Sequence, residues 1–571
     1  MAEYLAPGVY VEEFDSGVKA MEGVGTSTAG FVGLAARGPV VGRPVLLTSF
    51  ADYKRRFGGY LSELEYGRYR YLPNCVEQFF TNGGSTCYVM RVVPENAVAA
   101  KSANGPIVVT AKDPGAWANT MVAFLTRSTR ARTQILSIQD SISGKQYELK
   151  NTAGFRVGDL VAFKAAGNIT YNKITGVNGQ LVTMAQPLPD DAADTSLVPQ
   201  KTLEACGVDL VVLWEDIQES YPGCSLNPGV SDYLPDAMVK STMAQVTLNI
   251  GDEIGDPLVL LGASPETETL RIELSGGLNG TMDAVNAGTF NGVDNGPGKR
   301  TGIEAFLEIS DVSIMAVPGV TDANVQAKLI AHCEGLTSRF AVLDAPLDAT
   351  AVSELNTHKS AYDTSYAALY APWVQVFDPL LKRPTFLPPS GSMCGVYART
   401  DIERGVHKAP ANEVVRGCTG LSVTYNEAEQ GKLNPNGVNL IRAIPGMGIR
   451  VWGARTCSSD GNWKYVNVRR LFIFLEESIR ANTGWAVFEP NDEGLWSRVK
   501  GSISLFLETQ RRNGALMGST PEEAYYVEVG RNTMSQDDIL NGRLICEIGV
   551  APVRPAEFVI FRITQKMQDA T

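Results

Sequence analysis

Histidine is nearly missing from this chain, with 3 in 571 residues. His332, His358 and His407 stand far apart, and none belongs to a His-Glu-x-x-His pair or another spacing that holds zinc. No Gly-x-Ser-x-Gly elbow is present, so a nucleophile of the α/β-hydrolase kind is not signalled. The glycine pairs carry no phosphate cradle. Gly83-Gly84 lacks the following Gly-Lys-Ser/Thr and reads as a turn, and Gly446-Met-Gly448 lacks the third glycine of a dinucleotide fingerprint. Long basic runs are absent and the net charge is 50 − 62 = −12, which argues against nucleic-acid binding. No apolar run approaches the roughly 20 residues that cross a bilayer. Met1 to Pro7 shows neither a basic region nor an apolar core, so no secretory signal is expected and the chain is expected to be made in a cytoplasm. Nine cysteines include no Cys-x-x-Cys pair. They are expected to be reduced and mostly buried. An odd count cannot pair fully within one chain, and disulfides between subunits stay open as the other reading.

What is present is enough apolar material for real cores, 44% of 571 residues, in a chain too long for one of them. Two to four domains are expected. The most specific stretch is Val466 to Ile563. Leu471, Phe474, Leu475 and Ile479 fall at helical spacing, and Asn482 and Gly484 stop that helix. Asn491 or Asp492 caps a second helix with the stripe Leu495, Val499, Ile503 and Phe506. After turns at Gly514 and Gly518, the segments Tyr525 to Val529, Leu544 to Ile548 and Phe558 to Ile563 read as strands.

The wording of this stretch is more telling than its periodicity. NVRRLF at Asn467, WAVFEPND at Trp485, TPEEA at Thr520 and VAPVRPAEF ending at Phe558 together resemble the C-terminal domain of contractile tail sheath proteins. PGVYVEE from Pro7 and the Ala116 to Asn119 run after Asp113-Pro114-Gly115 are similar to the same family. The likeness covers the first hundred residues and everything after about Gly276, and is weaker between.

The resemblance implies an α/β and α+β multidomain fold. It implies an arm at 1–20, an N-terminal α/β part at 21–129 and a central α/β domain at 201–440, subtilisin-like but without an active site. A C-terminal α+β domain at 441–555 would be completed by strands exchanged with neighbouring subunits, with a closing strand at 556–571. Between Arg130 and Pro199, short alternating segments such as Phe155 to Val161, Tyr171 to Val177 and Leu181 to Met184 suggest an inserted β-rich domain at 130–200.

The central stretch alternates strand and helix, as in a parallel sheet covered on both faces. Strands are expected at Ser313 to Pro318, Phe340 to Asp344 and Trp373 to Phe377, with helices capped by Thr321 or Asp322 and running from Ala351 to Tyr362. Further up the chain, Phe31 to Ala35 and Cys87 to Val93 read as strands, and Phe50 to Phe57 and Val76 to Phe80 as helices. Asp311, Asp344 and Asp378 stand near strand ends, where α/β enzymes place ligands and where carboxylates also cap helices. The expectation is no enzyme, no cofactor and no metal.

The site residues are therefore expected on assembly surfaces. Val9, Tyr10, Val11 and Phe14 would form an N-terminal strand lent to a neighbour. Phe558, Val559, Ile560, Phe561 and Ile563 would form the C-terminal one, apolar on both faces. Arg498, Lys500, Arg511 and Arg512 give the second helix a basic face, either an ordinary solvated face or one turned to the inner tail tube. The implied partners are further copies in stacked hexameric rings, the tube protein, and baseplate and tail terminator proteins. The implied role is contraction that drives the tube through a target envelope, in a virus or in a tail-derived injection system.

Overall fold

A computed structural model describes residues 19–141, 144–165, 168–188, 202–560 and 562. The N-terminal strand residues Val9, Tyr10, Val11 and Phe14, and Phe561 and Ile563 of the C-terminal one, lie outside the described residues. The chain forms two compact units. One contains 41–92 and 286–571 with the chain start to Ala35, and the other contains 36–40 and 93–285.

The first unit is built on an eight-stranded sheet. Its strands are β1 (Ala29–Leu34), β2 (Val45–Leu47), β3 (Cys87–Val92), β4 (Ile314–Ala316), β5 (Phe340–Asp344), β6 (Ala367–Ala371), β7 (Val438–Ile444) and β8 (Gly448–Val451), in the order β2-β3-β1-β4-β5-β6-β7-β8. The inner pairings are parallel, and only the edge strands β2 and β8 run antiparallel. Every residue of β1, β5 and β6 is buried. That explains their unbroken apolar wording, because a parallel strand has both faces covered. The covers are α1 (Phe50–Phe57), α2 (Leu72–Thr81), α3 (Ala323–Leu336), α4 (Val352–Ser360) and α5 (Ser390–Arg404). Asp322 caps α3, accepting from the Asn324 and Val325 amides at 2.8 and 3.4 Å.

Three expectations need correction here. Residues 21–129 and 201–440 do not divide as sequence suggested, because β1 and β3 lie in the same sheet as β4 to β7. The main-chain groups of a strand inside the sheet need partners on both edges, and β1 finds them in β3 and β4. The central strand after α4 is β6, ahead of the expected Trp373 to Phe377. Pro372 breaks the chain after β6, and Val374–Asp378 pairs instead with Arg383–Leu387 and Gly420–Leu421 in a small antiparallel sheet. The C-terminal segment Phe558 to Ile560 is not a strand in the single subunit.

The C-terminal module completes this unit. It contains α6 (Val466–Asn482), α7 (Glu493–Arg512) and a two-stranded antiparallel sheet of β9 (Tyr525–Val529) and β10 (Cys546–Val550). Asp492 caps α7 through the Leu495 amide at 2.8 Å. Leu471 and Leu475 of α6 and Leu495, Val499, Ile503 and Phe506 of α7 share one buried cluster with Val527 of β9. Phe474 and Ile479 pack against it half-buried.

The second unit is antiparallel. Its nine-stranded sheet includes two long strands, Val122–Thr133 and Thr202–Trp214, paired along most of their length. Ala123, Leu125, Val208, Leu210 and Val212 feed one core, and Leu203 and Ala205 feed a second with Tyr147, Phe163 and Val182. The compact unit is thus larger than 130–200, because those two strands run without a break from one core to the other.

Candidate functional site

Asp344 ends β5 and is buried. Its carboxylate accepts from the Ser390 amide and hydroxyl, both at 2.7 Å, and from the Gly319 amide at 2.9 Å. Burial raises its pKa and these bonds offset that only in part, leaving about 6. Every partner is a donor that holds neighbouring chain in place, including the start of α5. The space beside it, lined by Val317, Leu329 and Val342 among others, has no room for a water molecule. Asp378 accepts from the Leu380 and Leu381 amides, as a turn cap does. Asp311 sits 3.5 Å from the Tyr88 hydroxyl and accepts from its neighbour Ser310.

The histidines are scattered in space as in sequence. His332 lies 3.1 Å from buried Arg339, and burial, with the charges of Arg339 and Lys328, drives its pKa down to about 3. His358 pairs with Gln326 at 3.0 Å. The His407 carbonyl accepts from Asn467 at 2.8 Å. The nine cysteines are free thiols, six of them buried. Among the described residues, no group of three His, Cys, Asp or Glu is placed to hold a metal ion, and no helix is long and apolar enough to cross a membrane.

The motif residues of the C-terminal module do converge, and they act as joints. Arg470 of α6 forms a bidentate pair with Asp401 of α5 at 2.6 and 2.9 Å, and also donates to the Thr26 carbonyl at 2.9 Å. Arg469 lies over the Trp463 ring at 3.5 Å and donates to Ser365. Asn467 donates to the carbonyls of His407 and Val553. One turn of helix therefore carries three long polar side chains into buried positions, each with a partner from a different segment. In the WAVFEPND run, the Asn491 side chain accepts from Trp496 and donates to the Arg543 carbonyl. Phe488 is fully exposed, at a φ of 68°. Thr520 and Glu523 of TPEEA form a capping box.

The start of the described chain is fastened to this module. The main chain of 19–26 runs along α6 and α7. Lys19 N donates to Ser502, Val24 N to Ser478 and Glu22 N to Asn482, which returns a bond to the Glu22 carbonyl. At the other end, Phe558, Val559 and Ile560 are 71%, 69% and 79% exposed, a run of three bulky apolar side chains in water. The sheet of β9 and β10 has only two strands among the described residues, and so keeps open edges.

The basic face of α7 is partly offset by its own neighbours. Arg511 and Arg512 both pair with Glu508 at 2.8 Å and pull its pKa down to about 2. Arg498 pairs with Glu489 at 3.3 Å, and Lys500 is exposed. The Asp401 partner of Arg470 and the Ser478, Asn482 and Ser502 ladder were not legible in sequence, where Ser478 and Ser502 look like ordinary helix polar residues and Asn482 like a helix stop. In sequence, Glu557 is only one letter of VAPVRPAEF.

The architecture matches a known class from end to end. The sheath of an extracellular contractile injection system, solved in its contracted state, has the same fold with a TM-score of 0.53 at 21% identity, covering 99% of both chains. Residues 294–457 match the family described as the phage tail sheath protein central domain, and 458–566 the phage tail sheath C-terminal domain. A protein described as a major tail sheath protein of a Pseudomonas aeruginosa prophage is 27% identical over 297 residues, 50% of this chain and 73% of its own. The tail sheath protein of Escherichia phage P2 is 25% identical over 323 residues, 53% of this chain and 78% of its own. The chain belongs to the contractile tail sheath family, and is a sheath subunit of a phage tail or a phage-like injection system.

Proposed function

We propose that this subunit polymerises as stacked hexameric rings around an inner tube and contracts to drive the tube through a target envelope. The observation that carries this is the pairing of two incomplete features on one chain. Phe558 to Ile560 project apolar side chains into water, and β9–β10 is a two-stranded sheet with open edges. Each is marginal alone, and each supplies what the other lacks if strands pass between copies. The arms at Val9 to Phe14 and Phe558 to Ile563 would then link neighbours into a mesh, while softer contacts between bodies rearrange. The central domain is read as a subtilisin-like scaffold with no catalytic role, since Asp344 spends its lone pairs on main-chain and Ser390 donors.

On this reading the tube-facing surface would lie on α7, at Arg498, Lys500, Arg511 and Arg512, with baseplate and terminator proteins at the two ends of the cylinder. Assembly in a bacterial cytoplasm follows from that role. An injection-system origin is a second reading, consistent with the fold that the chain shares with such a sheath. Electron microscopy of purified protein tests the proposal. Long hollow cylinders support it, and discrete globules under all conditions, or esterase or protease turnover, refute it.

A further inference from the structure

The stretch 551–557 is laced to the body of the subunit. Ala551 N donates to the Ala524 carbonyl at 2.8 Å, and Val553 N to Ala515 at 3.3 Å. Asn467 donates to the Val553 carbonyl at 3.3 Å. Next comes Glu557. One carboxylate oxygen accepts from Arg455 Nε at 2.8 Å and from Asn434 at 2.6 Å. The other accepts from Arg455 Nη2 at 2.7 Å and from the Tyr465 hydroxyl at 2.9 Å, with Lys464 at 3.7 Å.

Arg455 is buried, and its main chain is pinned in turn. Its amide donates to Asn439 Oδ1 and its carbonyl accepts from Asn439 Nδ2, both at 2.7 Å. Asn439 is fully buried in β7, inside the eight-stranded sheet. Phe558, Val559 and Ile560, which follow, are exposed.

We propose that Glu557 is the anchor of the C-terminal arm, fixing the point where it leaves the subunit and passing load on it through Arg455 and Asn439 into the eight-stranded sheet. Four charged or directional donors meet on one carboxylate, so the grip is stronger than a surface pair. Partial burial would raise the Glu557 pKa, but the bonds from Arg455, Asn434 and Tyr465 bring it down to about 2, so the grip persists in mild acid. The anchor spares β9–β10, whose edges remain free for a neighbour. The claim that it carries load rests on the sheath reading; the claim that it fixes the exit point does not.

Hydrogen exchange on the full-length unassembled protein tests it. In Glu557→Ala, the Ala551 and Val553 amides are expected to exchange about tenfold faster, while amides of β5 and α6 keep their protection. The charge swap Arg455→Glu with Glu557→Arg is expected to recover part of that protection, which a merely unfolded variant would not show. Unchanged exchange at 551–553 in Glu557→Ala overturns the anchor. In parallel, the same variants are assembled into cylinders and challenged with urea. Wild type that makes no cylinders refutes the sheath reading and leaves the exchange result standing on its own. Variant cylinders that resist urea as well as wild type, with exchange accelerated, overturn the load-bearing role.

Discussion

Removing the guanidinium of Arg470 is expected to be among the most damaging single changes in the C-terminal module. Its side chain and that of Asp401 are each 3% exposed, and their two bonds measure 2.6 and 2.9 Å. In Arg470→Met the stem still fills the helix interface, but the Asp401 carboxylate is left buried and unpaired, and the Thr26 carbonyl loses its donor. Breaking a buried pair from one side costs about 3–5 kcal/mol, most of it the stranded charge. Replacing both partners removes that charge, so Arg470→Met with Asp401→Leu is expected to recover all but about 1–2 kcal/mol. With a urea dependence of about 3 kcal/mol/M, the single variant lowers the midpoint by about 1–2 M. Pulse proteolysis of the unassembled subunit across a urea series reads both variants. A single-variant shift below about 0.3 M, or a double variant no better than the single, would refute the reasoning.

Asp344→Asn should change how stability depends on pH. Burial raises the folded-state pKa from 3.8 to about 6. That contribution is fully present below the unfolded value and is lost as pH rises through the folded one. Relative to the Asn variant, wild type is therefore expected to lose about 2 kcal/mol between pH 4 and pH 6, of about 3 kcal/mol in all, and parallel stability curves would count against it. Phe488→Gly, at φ 68° on a fully exposed side chain, is expected to stabilise the isolated subunit by about 1 kcal/mol in thermal unfolding; a clear loss would show that the ring packs on something in the subunit. Deleting everything after Pro555 should leave a folded, soluble protein that forms no cylinders in electron microscopy, and polymerisation of that variant would sink the strand-exchange proposal. Charge reversal at Lys500 should weaken tube co-assembly less at high salt than at low, because exposed charges are screened within about 8 Å at physiological ionic strength, and unchanged decoration at low salt would argue against α7 as the tube-facing helix.

Much of the local structure follows from the amino-acid order alone. Phe50 to Phe57, Phe340 to Asp344 and Tyr525 to Val529 form the elements their patterns call for, and Asp322 and Asp492 cap the helices they precede. These depend on side-chain period and on bonds three residues away, which a short window contains. The family was legible too, because NVRRLF and VAPVRPAEF are specific as words. Tertiary structure decided the rest. Helix α5 begins with Ser390, Gly391 and Ser392 after two prolines, poor helix formers by propensity. It forms because Gly391 and Gly395 let it press on α2, where a Cβ would come within 2.5–2.6 Å of the backbone at Cys75 and Phe79. Joining β1 and β3 to β4, across more than 200 intervening residues, satisfies strands buried on both faces, a demand that no local pattern encodes. The roles of Arg470 and Glu557 also waited on the fold. Their letters mark the family, but Asp401 lies 69 residues from one and Arg455 102 from the other, and a charge reveals its purpose only when folding removes the water around it.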